Sequence, residues 1–289
     1  KENEINNLLK FIRTYKVSIP VLYLENSVKK GNIIYDIIIN FKNNNLDQIE
    51  IAGKIIDTEL NILKKEKIKN INLNFNYKNQ KIEIINLKLK YKNVNFNSQN
   101  ISANLNNNLI NIKGDFKNKI NQNLLLSLVD LDAKNYLDKN ILLSSKSNFD
   151  ISFNNNFKIK NYNLSSQVSI DDVKINLKNT NLKNYITNFE DKIILKNINL
   201  NFKIKNKNKI IISIYSKYIF NKKQKAQDIS LNYSRVNSIE KYELYIDLIE
   251  NVLNFNEINF SKKKDEEMFL DLQATINKNI FEINNLKLF

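Results

Sequence analysis

Residues 198–220 read INLNFKIKNKNKIIISIYSKYIF, and their spacing decides the fold. Leu200, Phe202 and Ile204 alternate with Asn199, Asn201, Lys203 and Lys205, and in the run that follows Ile210, Ile212, Ile214, Tyr218 and Phe220 share one parity. Side chains of a strand point to alternate faces, so each run is a strand with one apolar and one wet face. Asn206, Lys207 and Asn208 separate the two runs. Asn tolerates positive φ well and can bond its own backbone, so a short turn at this place makes the pair an antiparallel hairpin.

Outward from this hairpin the period stays at two. Ile71, Leu73, Phe75 and Tyr77 alternate with Asn72, Asn74 and Asn76. Similar alternation recurs near 32–42, 94–105, 109–116, 149–153, 173–177, 229–233, 242–248, 255–260 and 269–276. Asn again fills the breaks, at 43–45, 106–108 and 154–156. The pairs Asp171-Asp172 and the run 262–267, KKKDEE, read as turns. Before all this lies one helix signal: Ile5, Leu8, Leu9 and Ile12 fall on one helical face, predicting a short amphipathic helix over 4–14. Pro20 marks the change of regime. The stretch 179–191 is ambiguous between a loop and one or two helical turns.

An internal repeat runs through the strands. It reads IEIINLKL at 82–89, FKIKNYNL at 157–164, IILKNINL at 193–200 and FEINNLKL at 281–288, with a weaker copy, EKIKNINL, at 66–73. Inside each copy the apolar gap is three instead of two, as from Ile84 to Leu87 and from Leu195 to Ile198. A β-bulge makes such a slip and restores the same face afterwards.

Composition narrows the chemistry. The 289 residues include no His, no Cys and no Trp, which excludes disulfide scaffolds, zinc fingers and Cys- or His-centred nucleophilic catalysis. Three Gly, none near another, make no phosphate cradle. The net charge is +15, and ten Lys with no acid fall between Lys192 and Lys225. Lys203 and Lys205 sit on the wet parity and Arg is nearly absent, so this run reads as a solvated face rather than a nucleic-acid site. Asn, Ile and Lys make up roughly half the chain and share A/T-rich codons, which weakens any reading of the charge as selection for a partner. Asp130 and Asp132 share a strand face but have no third ligand nearby, so they read as a solvated strand end rather than a metal or acid–base pair. No apolar run approaches the ~18 residues of a spanning helix.

Roughly fifteen one-faced strands must cover their apolar faces. One sheet of that width would run about 70 Å, and open sheets seldom exceed ~10 strands without curling or splitting. The choices are a trough with an apolar interior, a barrel, or a sandwich whose faces pack against each other.

Long meandering strands with Lys and Asn outside and Ile, Leu and Phe inside, the repeated I-x-I-x-N-L-x-L units, and elements such as LINIKGDF at 109–116 resemble the AsmA-like envelope proteins of the YhdP/TamB type. The resemblance covers about 17–289. It implies an all-β, elongated, curled antiparallel sheet with a hydrophobic groove, and a non-enzymatic conduit for phospholipid between inner and outer membrane. It further implies a periplasmic setting in a diderm bacterium, phospholipid acyl chains as partners, no cofactor, no metal and no nucleic acid. The expected groove residues are Ile71, Leu73, Phe75, Leu87, Leu89, Leu200, Phe202, Ile204, Ile210, Ile212 and Ile214. The expected division is a helix or linker over 1–15 and a β-groove segment over 16–289. Because the chain begins at Lys1 rather than Met, a piece of a longer, membrane-anchored parent is expected, with membrane contact made through its remainder. The alternative is a structural or adhesive β-sandwich of the envelope.

Overall fold

The computed structural model describes residues 3–15, 19–43, 45–62, 66–106, 109–121, 141–154, 158–177, 181–187, 189–190, 192–206, 208–221, 224–278 and 280–289. The chain opens with β1 (Asn3–Glu4), α1 (Ile5–Tyr15) and α2 (Ile19–Ser27). Strands β2 (Val28–Lys42), β3 (Asn45–Ile62), β4 (Glu66–Lys78), β5 (Lys81–Tyr91), β6 (Val94–Asn106) and β7 (Leu109–Asn121) follow. Next come β8 (Leu142–Asn154), β9 (Ile159–Asn176), β10 (Lys192–Lys205), β11 (Lys209–Ile219), β12 (Gln227–Val236) and β13 (Ile239–Asp247). The last elements are β14 (Leu253–Phe255), β15 (Phe260–Lys262), β16 (Phe269–Asn277) and β17 (Ile280–Leu288).

All strands except β14 and β15, which pair with each other, form one antiparallel sheet of fifteen strands in consecutive order. The order has two ends, β1 and β17, and the sheet is not closed into a barrel. The protein is all-β, as the period of two predicts. By its contacts the chain divides into two compact units, residues 1–119 with 146–163, and residues 120–145 with 164–289.

In the first unit the core forms under α1. Ile5 and Leu9 are buried against Val28 and Ile33, with Leu8, Tyr35, Ile55, Leu60 and Phe75 around them. Ile12, expected on the same helical face, is 37% exposed and is not part of this cluster. Arg13 pairs with Glu25 of α2 at 3.1 Å. That second helix corrects the reading of Pro20 as the start of the strand regime. Pro20 is the second residue of α2, and in a first turn its fixed φ is already helical and its missing N–H has no intrahelical partner to lose.

In three of the five repeat copies the central Asn is left-handed. Asn70, Asn86 and Asn197 have φ of 52, 55 and 51°, and the pairing register shifts around each of them. Asp57, at φ 44°, makes a fourth case in the related stretch KIIDTEL at 54–60. In each case the next residue turns inward: Thr58, Ile71, Leu87 and Ile198 are all buried. In the copy at 281–288 the register also shifts, opposite Gln273 and Ala274. At Asn70, Asn86 and Asn197 the break in the period is therefore a bulge, and it turns the next side chain inside.

Two further expectations change. Asp171 and Asp172 lie within β9, both exposed, where the strand's period breaks before buried Val173. The alternation at 255–260 is interrupted by a 3-10 turn, Asn256–Ile258, whose end is set by left-handed Asn259. The stretch 179–191 contributes a 3-10 turn at Asn181–Asn184. Asp130 and Asp132 lie outside the described residues. Among those described, no helix is long and apolar enough to cross a membrane.

Candidate functional site

Register decides which side chains share a face, because directly opposed residues of antiparallel strands point the same way. In the second unit Leu200 faces Ile214, Phe202 faces Ile212, and Ile204 faces Ile210. The rows continue across the sheet. Leu200 and Ile214 are followed by Leu231, Leu244, Leu272 and Leu286. Phe202 and Ile212 are followed by Tyr233, Tyr242, Ala274 and Ile283. On the opposite face one row is polar throughout, Asn201, Ser213, Asn232, Glu243, Gln273 and Asn285.

The apolar rows are not sealed. Leu200, Phe202, Ile204, Ile210, Ile212 and Ile214 are all half-buried, where the interior of a sandwich would bury them fully. At the margin near the hairpin tips the third row reads Ile204, Ile210, Arg235, Glu240, Ile276, Phe281. Arg235 stands directly opposite Glu240, and the Tyr242 hydroxyl donates to Glu240 at 2.7 Å. That bond, with some burial, pushes the Tyr242 phenol up to about 12.

The other margin is covered. Ile193, Phe220 and Leu248 pack against a buried cluster of Ile186, Phe189, Leu253 and Met268, which comes from the connections before β10 and between β13 and β16. Beneath these connections lies a polar knot. Tyr218 donates its hydroxyl to the Asp247 carbonyl and accepts from the Asn251 side-chain amide, 2.7 Å away. The carboxamides of Asn251 and Gln227 meet at 2.8 Å. Burial pushes the Tyr218 phenol well up; the Asn251 hydrogen bond opposes the shift, and the charge of Asp247 adds to it. Lys262, expected in a turn, is instead 3% exposed and donates to the carbonyls of Ile249, Asn251 and Lys263. Burial pulls its ammonium down, although Glu266 and Asp247 oppose the shift. The sequence gives no signal for this knot, because its members lie far apart and carry no motif.

Beside the covered margin a pocket of about 360 Å³ is lined mainly by Phe255, Ile258, Phe260, Met268, Leu288 and Phe289. Leu288 faces Leu270, so the pocket adjoins the apolar rows at their β17 end.

The expected groove residues of the first unit have a different fate. Ile71 and Leu87 are buried with Ile101, and Leu73 and Leu89 pack against them. Phe75 packs against the cluster under α1, with its ring over Gly53, where a Cβ would come within 3.0 Å of the ring. Of the eleven residues Ile71 and Leu87 are buried, Leu73, Phe75, Leu89 and Ile214 are half-buried against buried clusters, Ile214 against Ile141, Val173 and Ile198, and Leu200, Phe202, Ile204, Ile210 and Ile212 are half-buried. Among the described residues no cluster of three or more carboxylates could hold a metal ion. Compared with known protein families, curated sequences and solved structures, the chain matches none.

Proposed function

We propose that the apolar rows of β10–β13, β16 and β17 hold acyl chains, and that the chain is a non-enzymatic conduit for phospholipid between two membranes. The observation that carries this reading is the half-exposure of Leu200, Phe202, Ile204, Ile210, Ile212 and Ile214 on one continuous face. Water contact at such a face is unfavourable, and an acyl chain relieves it. A chain of about fifteen carbons costs about 12 kcal/mol to expose to water, so an aqueous gap is crossed slowly without an apolar path. Six strands at ~4.8 Å spacing give a strip of about 24 Å, longer than the ~15 Å of one leaflet's hydrocarbon. The sequence resemblance to AsmA-like envelope proteins supports the same reading, and with it a periplasmic setting, an inner-membrane-anchored parent and a phospholipid cargo.

The test begins with mass spectrometry of the purified chain for co-extracted phospholipid. It continues with Phe202→Glu, which puts a carboxylate at the centre of the apolar face, and Lys203→Glu, one residue away on the polar face. An unpaired carboxylate on a dehydrated surface costs several kcal/mol. Phe202→Glu is expected to lose lipid while keeping its β content, and Lys203→Glu to carry lipid normally. Equal losses in both, or normal lipid in folded Phe202→Glu, reject the conduit. Unfolding of Phe202→Glu alone points to the structural or adhesive sandwich.

A further inference from the structure

The apolar face of the second unit carries charge at one place. In the rows that run from Leu200, Phe202 and Ile204 across to β17, Arg235 and Glu240 alone are charged. They are direct partners in the β12–β13 register, so their Cα atoms stand about 4.5–5.5 Å apart. Ile210 lies beside Arg235 on β11, and Ile276 beside Glu240 on β16. Next along the two strands are Tyr233 and Tyr242, with ring centres 5.1 Å apart. All four polar side chains are half-buried. Beyond the charged pair the hairpin ends at Val236 and Ile239, both exposed, so the charges mark the wet margin of the apolar rows and not their middle.

A pair of opposite charges stabilises such a place little compared with the aliphatic side chains that fill the rest of its row. Its chemistry suits a ligand with both signs. The guanidinium of Arg235 offers more N–H donors than one carboxylate can use, in a planar fork that matches a phosphate. The carboxylate of Glu240 is held from one side by the Tyr242 hydroxyl at 2.7 Å, and its remaining lone pairs can accept from an ammonium. The faces of Tyr233 and Tyr242 favour a cation beside them as well. A headgroup that is only anionic would satisfy Arg235 and meet Glu240 with like charge.

We infer that Arg235 and Glu240 form a headgroup subsite for a zwitterionic aminophospholipid, with its phosphate at Arg235, its primary ammonium at Glu240, and its acyl chains on the adjoining apolar rows. The inference rests on the conduit reading above and adds the lipid class to it. The opposite margin of the same rows is roofed by the cluster around Phe189 and Leu253, which leaves the headgroup the margin with the charges.

The purified chain is incubated with vesicles holding phosphatidylethanolamine and phosphatidylglycerol in equal amounts and with matched acyl chains. It is then re-isolated, and its lipid is identified by mass spectrometry. Wild type should carry phosphatidylethanolamine in several-fold excess. Glu240→Gln removes the partner of the ammonium but keeps Arg235, and should turn the preference towards phosphatidylglycerol. Arg235→Gln removes the partner of the phosphate and should bring the ratio back to that offered. Lys241→Gln makes the same change of charge one residue from Glu240, on the polar face, and should behave as wild type. Circular dichroism first establishes that each variant keeps its β content, and the two single variants of the pair test the subsite independently. Soluble glycerophosphoethanolamine, the same headgroup without acyl chains, should not displace the lipid at equal concentration. Lipid carried without headgroup preference overturns this inference and leaves the conduit standing. So does an unchanged preference in folded Glu240→Gln or Arg235→Gln, its loss in Lys241→Gln, or displacement by the headgroup alone. A wild type that carries neither lipid overturns both readings.

Discussion

Asn199 donates its side-chain amide to the carbonyl oxygen of Asn197, two residues earlier, at 3.2 Å, and Asn72 does the same for Asn70 at 3.1 Å. In both pairs the earlier Asn is the left-handed residue of a bulge, and the later one holds the bend from the outside. The residue between them, Ile198 or Ile71, is buried. The spelling Asn-Ile-Asn therefore encodes backbone twist, latch and core contact together.

Substitutions at the bulge should separate these contributions. Asn197→Gly keeps the left-handed backbone accessible and should change stability by less than about 1 kcal/mol, whereas Asn197→Val should cost about 1–2 kcal/mol. Removing the latch with Asn199→Ala should cost about 1 kcal/mol. Urea midpoints of the three variants, followed by circular dichroism, check the order.

The helix α1 should act as a packed layer and not as a loose leader. Leu9→Ala removes a buried side chain and should cost about 2–5 kcal/mol, while Phe11→Ser, on the exposed side, should stay within about 0.5 kcal/mol. Equal effects in thermal unfolding would show that α1 does not cover the sheet in solution.

Alkaline pH should loosen the second unit. Tyr218 is buried and its phenol is raised, so the unfolded chain releases this proton first. The stabilisation from a raised group is complete below the unfolded value of ~10 and is lost as pH rises toward the folded one. Tyr242, raised to about 12 chiefly by its bond to Glu240, acts in the same direction. Tyr218→Phe should be less stable than wild type at neutral pH by about 1–3 kcal/mol, because the Asp247 carbonyl loses this donor and Asn251 loses one of its two partners. Its stability should fall less steeply above pH ~10. Denaturation midpoints measured across that range test both statements.

Lys262 should hold the connection between β13 and β16 in place. Its ammonium accepts no substitute: Lys262→Met leaves the carbonyls of Ile249, Asn251 and Lys263 without this donor and should cost about 3 kcal/mol or more. Hydrogen exchange should show lost protection at 248–268, with β10 to β12 less affected. Glu267→Gln, on the exposed side of the same connection, should leave exchange unchanged.

The strands were legible because a two-residue period survives any tertiary arrangement, and Phe202 facing Ile212 is what parity predicts. The bulges were legible because Asn at a fixed place in a broken period has few other uses. What escaped the sequence depends on longer range. Pro20 reads as a breaker, yet it begins α2, since its effect depends on where the helix starts. Strand β3 has no clean alternation around Gly53 and Asp57, because an aromatic ring covers the first and a bulge bends the second. Ile71 and Leu87 are buried because each follows the left-handed Asn of a bulge, whereas Phe202 and Ile212 stand in regular pairing and stay half-buried. Parity alone carries no such information.

Consecutive strand order has a consequence for how such a chain is made and varied. Apart from β14 and β15, which pair with each other, each strand from β2 onward finds the strand before it in the sheet already made, so pairing needs no later segment and can advance as synthesis proceeds. A hairpin inserted or removed at any Asn turn leaves every other pairing untouched, provided it carries its own bulge and its own apolar row. Width is then the quantity most easily altered by duplication, one hairpin at a time, with no change in the rule that joins neighbour to neighbour.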